Sequence, residues 1–205
     1  MTHDFFASLG HGFGPYLMMF VSYIFVHNAV LTQFLGMCPF VGVTSKVETS
    51  LGMSYATAFV VTMSTIISWL VNKAILIPFH IEFLYIVTFI LVVASLVQII
   101  EIIMKKVTPA LYQALGIYLP LITTNCIVLG TVLLAVNIKQ FNLIQSSVFA
   151  LANSLGFSLG LVVMAGIREQ FDLFDVPVAM RGIPIAFVAA GLISLAFMGF
   201  AGLVK

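Results

Sequence analysis

The sequence predicts an all-α integral membrane protein: six transmembrane helices arranged as two inverted three-helix repeats, with helices one and four interrupted. Three observations carry this expectation. Of the 205 residues, 62% are apolar and only 7% charged, against about 45–50% and 25% in soluble domains, and the mean hydropathy is +1.21. Apolar runs near the roughly 20 residues needed to span a bilayer recur along the whole chain. Two short motifs in the first part of the sequence reappear in the second. A soluble fold of this length needs a polar surface that eight basic and seven acidic side chains do not supply. That excludes a soluble enzyme and a disordered chain, and a net charge of +1 offers no field to attract nucleic acid.

Six segments qualify as spans: 16–43, 51–77, 83–104, 111–136, 144–167 and 183–204. They are read as helices because they lack period-2 alternation and because backbone groups in lipid must be satisfied internally. No Lys or Arg precedes the first run and no cleavage-site pattern follows a short apolar core, so it is expected to be a retained span rather than a signal peptide. The first run is 28 residues long and contains His27, Asn28, Gln33 and Pro39. A straight helix of that length would reach about 42 Å across about 30 Å of hydrocarbon. The fourth run contains Pro120, Thr123, Thr124, Asn125 and Cys126. Proline removes a donor and crowds the preceding turn, so both runs are expected to break. Tilt would explain the length, but not the polar clusters.

Six spans place both termini on the side of Lys73, Lys139 and Lys205; the opposite side holds Lys46, Lys105, Lys106, Arg168 and Arg181. By the positive-inside rule the richer side is cytoplasmic, and both termini are expected outside. Ser50-Leu51-Gly52 opens the second run, and Ser154-Leu155-Gly156 lies in the fifth, 104 positions later. Asn28 and Asn125 sit in the first and fourth runs, 97 positions apart. The implied unit has three spans, so the second copy enters the membrane from the opposite side. In such inverted repeats, sites form near the midplane from interrupted helices.

The two cysteines, Cys38 and Cys126, fall in the polar, proline-marked stretches of runs one and four. Neither belongs to a C-x-x-C motif, and a buried thiol is ordinarily a small hydrophobe. If the repeats fold against each other, spans one and four meet and the thiols approach. Two thiolates do not complete an iron–sulfur cluster, which takes four; a second copy of the chain or a different partner would have to bring two more. Cys38 stays near the centre only if residues 35–43 are re-entrant or unwound, since a helix would carry it about 15 Å beyond Asn28. Glu101, four residues before Lys105, reads as an interfacial ion pair and His27 as a hydrogen-bonded packing residue. Asn28 and Asn125 read as interhelical hydrogen-bonding groups. Arg168-Glu169 with Asp172 and Asp175 reads as a solvated loop that docks soluble partners.

The runs Gly36-Met37-Cys38-Pro39-Phe40-Val41-Gly42 and Leu119-Pro120-Leu121-Ile122-Thr123-Thr124-Asn125-Cys126 resemble the family of A subunits of the Rnf ion-translocating ferredoxin:NAD oxidoreductase complex. Gly166-Ile167-Arg168-Glu169, Asp175-Val176-Pro177, Arg181-Gly182 and the tail Leu195-Ala196-Phe197-Met198-Gly199-Phe200 match as well. That family is homologous to the E subunit of the sodium-pumping NADH:quinone oxidoreductase. The resemblance covers a single membrane domain, with 1–15 as an N-terminal extension, 16–106 as repeat one and 107–205 as repeat two. It implies a bacterial or archaeal cytoplasmic membrane and electron transfer coupled to sodium or proton transport. It also implies other members of the Rnf complex as partners, among them a homologous, oppositely inserted E subunit. Cys38 and Cys126 match the family's ligands to a [2Fe–2S] cluster shared with that partner, while no residue would perform hydride transfer. Two other readings stand beside this one: a small secondary transporter with a midplane site near Asn28 and Asn125, and a scaffold whose cysteines are incidental.

Overall fold

A computed structural model of the chain describes residues 13–76, 84–107, 119–138, 141–171, 174, 177 and 181–203. Most of the predicted extension, positions 111–118 of the fourth run, Lys139, Asp172, Asp175 and Lys205 lie outside the described residues. Helix α1 (Phe13–Val21) widens into a π-helical turn at Ser22–Val26 and is followed by the short α2 (Met37–Gly42). Next come α3 (Val47–Val71), continued by a π-helical turn at Asn72–Leu76, and α4 (Tyr85–Val107). The short α5 (Leu119–Thr123) leads to α6 (Cys126–Leu133), which continues into a π-helical turn at Leu134–Ile138. Helices α7 (Leu143–Phe171) and α8 (Ile183–Leu203) complete the series. Among the described residues all regular structure is helical. Among the described residues three helices are long and apolar enough to cross a membrane, over Val47–Leu76, Tyr85–Ile103 and Leu143–Phe171, and shorter apolar helices cover Tyr16–Val26, Leu121–Val136 and Ile183–Gly199.

The centre of the fold is the pair α3 and α7, which make the most extensive helix–helix contact. Their composition explains the pairing. The inward face of α3 carries Ser50, Ser54, Thr57, Ser64, Thr65 and Ser68, all buried. On α7, Ala152, Asn153, Ser154, Gly156 and Gly160 are also buried. Small side chains let two backbones approach closely, which in lipid replaces the hydrophobic drive that water would supply. The outward face of α3 shows Leu51, Tyr55, Phe59, Met63, Ile67 and Leu70 at near four-residue spacing. A helix with its polar residues inside and its apolar residues outside is reading lipid, not water, as its solvent.

The remaining helices pack on this pair in two similar arrangements. Helix α6 lies against α3, and α4 lies against both. Likewise α1 with its π-helical turn lies against α7, and α8 touches that turn and α7. Asn153 Nδ2 donates to Thr131 Oγ1 at 2.7 Å, tying α7 to α6. Phe40, Met53, Ile127, Phe157, Leu161 and Met164 fill the main core. A second cluster around Met19, Phe89 and Phe149 closes one end, where Trp69 Nε1 donates to Phe141 O at 2.9 Å.

Both expected interruptions are present, though not where proline alone would put them. The first chain segment leaves the helix at His27 and re-enters at Met37. The unwound stretch is therefore 27–36, upstream of the expected 35–43. Pro39 sits within the first turn of α2, where its missing N–H removes no helical bond. In the fourth segment Pro120 lies inside α5 and the break falls at Thr124 and Asn125. The asparagines, not the prolines, hold the open backbone. Asn28 is fully buried. Its Oδ1 accepts from Val30 N at 3.1 Å and Leu31 N at 3.5 Å. Its Nδ2 donates to Ile24 O at 3.1 Å and, across to α7, to Gly156 O at 2.7 Å. Asn28→Ala should therefore lower stability by about 2 kcal/mol, the cost of stranding buried backbone donors, seen as a reduced thermal midpoint of the detergent-solubilised protein. An unchanged midpoint would contradict this role.

Candidate functional site

The two breaks meet. Gly36 ends the unwound stretch with φ +82°, a left-handed conformation that side chains disfavour. A Cβ on Gly36 would stand 3.0 Å from both Asn125 Oδ1 and Phe157 Cε2. The glycine is thus required twice, by its backbone angle and by the carboxamide pressed against it. Nearby, Phe34 also takes a positive φ of 56°, a strained choice for a large side chain. Leu35 packs its side chain onto Gly130 of α6, and Gly42 of α2 approaches Leu121 of α5. The unwound stretch of the first segment is therefore clasped along the start of α6.

Asn125 repeats the local device of Asn28. Its Oδ1 accepts from Ile127 N at 3.2 Å, two residues on, as Asn28 accepts from Val30 N. It is the N-cap of α6, satisfying one of the free donors that every helix start leaves. Its own N–H donates to Ile122 O at 3.2 Å, linking α5 to the break. Its Nδ2 is buried and has no hydrogen-bond partner among the described residues. Three hydroxyls share that condition: Thr57 Oγ1, Ser64 Oγ and Ser68 Oγ, on the buried side of α3.

Cys38 and Cys126 begin the helices on either side of this contact. Cys38 is the second residue of α2, two positions after Gly36; Cys126 is the first residue of α6, directly after Asn125. Both are free thiols and both are exposed, unlike the packed small hydrophobes that most membrane cysteines become. Separation along the chain is a poor guide to distance here: Cys38 is ten positions from Asn28, but the unwound stretch returns it to the fourth segment. Among the described residues no three His, Cys, Asp or Glu side chains gather into a metal-binding group.

Other sequence candidates land elsewhere. His27 is exposed beside the first break and its ring lies 6.0 Å from Tyr23. Glu101 and Lys105 both lie on α4. Arg168 and Glu169, expected in a solvated docking loop, instead belong to the last turn of α7 and tie down other elements. Arg168 Nη1 donates to Val41 O at 2.6 Å and Thr44 Oγ1 at 3.0 Å. Glu169 Oε1 accepts from Val47 N at 3.0 Å, capping α3, whose N-cap Lys46 makes no side-chain cap of its own. Sequence reasoning misses this clamp because the apolar pattern stops near Ile167, whereas the helix continues for another turn. A charged pair inside the last turn of a long helix is the signal that could have revealed it.

Residues 16–204 match the family described as "Rnf-Nqr subunit, membrane protein". A protein of Sodalis glossinidius is 52% identical over 190 residues, which are 93% of this chain and 98% of that protein. Relatives in Cronobacter sakazakii and Shewanella baltica are 51% and 52% identical over the same shares. All three bear the name of the A subunit of an ion-translocating oxidoreductase complex.

Gly36→Ala should cost about 2 kcal/mol or more, from left-handed strain and the clash with Asn125. Gly166→Ala, with nothing within 4 Å of the added carbon, should be neutral or slightly stabilising in mid-helix. Thermal unfolding of the two variants side by side checks the contrast.

Proposed function

The chain belongs to the Rnf-Nqr family of membrane subunits, and from that premise we propose that it is the electron-carrying A subunit of an ion-translocating oxidoreductase complex. In this reading the complex exchanges electrons between ferredoxin and NAD, in a bacterial or archaeal cytoplasmic membrane. The chain shares a [2Fe–2S] cluster with a homologous E subunit inserted the opposite way. Two exposed thiols at the starts of two helices, flanking one buried contact between helix breaks, are the observation that carries the proposal. Their donor chemistry fits: thiolate sulfur is the ordinary ligand of iron–sulfur clusters, and two per chain make four across a pair. Exposure of both thiols on one chain supports a site completed from outside it.

When bound, the cluster supplies one-electron transfer. The chain's own residues provide the scaffold for it. Cys38 and Cys126 would hold the iron. Asn125 caps the helix start that carries Cys126, and Asn28 satisfies the open backbone upstream of α2, whose own N-cap, Gly36, makes no side-chain cap. The outward apolar faces of α3 and α8 exclude water through lipid and neighbouring subunits. None of these groups takes a proton or a hydride from a substrate.

The same reading includes six spans in two inverted triplets, 16–106 and 107–205, with both termini outside. It is supported by the parallel arrangements of α6 on α3 and α1 on α7, and by the equivalent caps of Asn28 and Asn125. Coupling to sodium or proton transport is supported by the relatives, which are named as subunits of an ion-translocating complex.

Iron analysis and low-temperature EPR of the anaerobically purified complex test the proposal. Cys38→Ala and Cys126→Ala should each remove one and the same [2Fe–2S]-type signal while other centres persist. A spectrum unchanged in either variant makes the cysteines incidental and favours a transporter or scaffold.

A further inference from the structure

Val41 is the next-to-last residue of α2, so its carbonyl is one of those a helix end leaves without an internal partner. Arg168 reaches it from the far end of the sequence, at 2.6 Å. The same nitrogen donates to Thr44 Oγ1 at 3.0 Å, and that hydroxyl in turn donates to Phe40 O at 2.6 Å. Phe40 and Thr44 are buried. One guanidinium therefore satisfies the Val41 carbonyl directly and holds the hydroxyl that satisfies Phe40 O, at the end of the helix that carries Cys38. The neighbouring Glu169 accepts from Val47 N, so two adjacent residues of α7 tie down the end of α2 and the start of α3.

A cation at a helix C-terminus faces the negative end of the backbone dipoles. Cys38 lies three residues before Val41, about 4.5 Å along the helix axis, and the guanidinium stands one hydrogen bond beyond the Val41 carbonyl, which puts the charge on the order of 10 Å from Cys38. In a half-buried, lipid-surrounded setting a charge at that range acts through a lower dielectric than water. We propose that Arg168 is a positioning residue for the Cys38 thiolate, locking its helix and raising the reduction potential of the cluster by favouring the more negative, reduced state. This rests on the reading of Cys38 as a cluster ligand.

The experiment is a redox titration, followed by EPR, of the signal that Cys38→Ala removes, in whole complex purified anaerobically. Arg168→Lys keeps the charge and a donor; its midpoint should stay near that of the unaltered complex. Arg168→Gln keeps a donor without the charge; its reduced-to-oxidised ratio at fixed potential should fall on the order of tenfold, about 59 mV for one electron. Thr44→Val loosens the same clamp with no change of charge and should leave the midpoint in place. A Gln variant with an intact signal at the original midpoint overturns the proposal. If the Gln variant fails to assemble a cluster while Lys retains it at the original midpoint, the charged clamp is upheld; loss of the signal in the Lys variant as well overturns it. Absence of any Cys38-dependent signal in the unaltered complex is the separate failure of the ligand assignment itself.

Discussion

Everything in this fold follows from one constraint: a backbone that stops being helical within lipid must find partners inside the protein. Asn28 meets that constraint at the first break. A single carboxamide accepts from two backbone donors ahead of it and donates to two carbonyls, one behind it and one on α7. Without it, the unwound stretch 27–36 would hold buried backbone donors with no partner, each costing about 1–3 kcal/mol. Because the stretch is satisfied locally, it can turn back and deliver Gly36 to Asn125. The contact between the two breaks, and with it the position of both thiols, depends on that first bond set.

The central pair α3 and α7 supplies the rigid frame on which those breaks rest. Small residues bring the two helices close, and several hydroxyls between them bond back to their own helix: Ser54 Oγ to Ser50 O at 2.7 Å and Thr65 Oγ1 to Val61 O at 2.7 Å. Thr57, Ser64 and Ser68 do not, which leaves the seam more polar than packing alone requires. Gly156 illustrates how tightly the frame grips the break, since a Cβ there would stand 3.1 Å from Tyr23 O and 3.3 Å from Asn28 Nδ2. Both the carbonyl that Asn28 uses and the space it occupies come from the same glycine.

Much of this is legible in the chain. Composition alone identifies the solvent, since fifteen charges cannot clothe a soluble surface. The asparagines and Ser-Leu-Gly motifs, read in the sequence as marks of a repeat, also turn out to touch: Asn28 bonds Gly156 of the second Ser-Leu-Gly. The interruptions fall in the expected segments, yet the prolines that suggest them sit harmlessly in first turns or short helices. Hydropathy places Arg168 and Glu169 in a loop because it ends where their helix does not. Polar residues that serve as caps look, in sequence, the same as polar residues that face water.

By itself the sequence determined the class of the protein, its apolar helices, its candidate thiols and the family to which it belongs, because these depend on composition and on local order of residues. Only the tertiary structure decided that the unwound stretch is 27–36, that Gly36 presses on Asn125, and that Cys38 and Cys126 flank one contact. It also decided that Arg168 caps the helix of Cys38 from 127 residues away. The physical reason is the same in each case. A helix propensity is settled within a few residues, whereas the partner of a freed backbone group is whatever the packed chain brings within about 3 Å, and no local pattern encodes that.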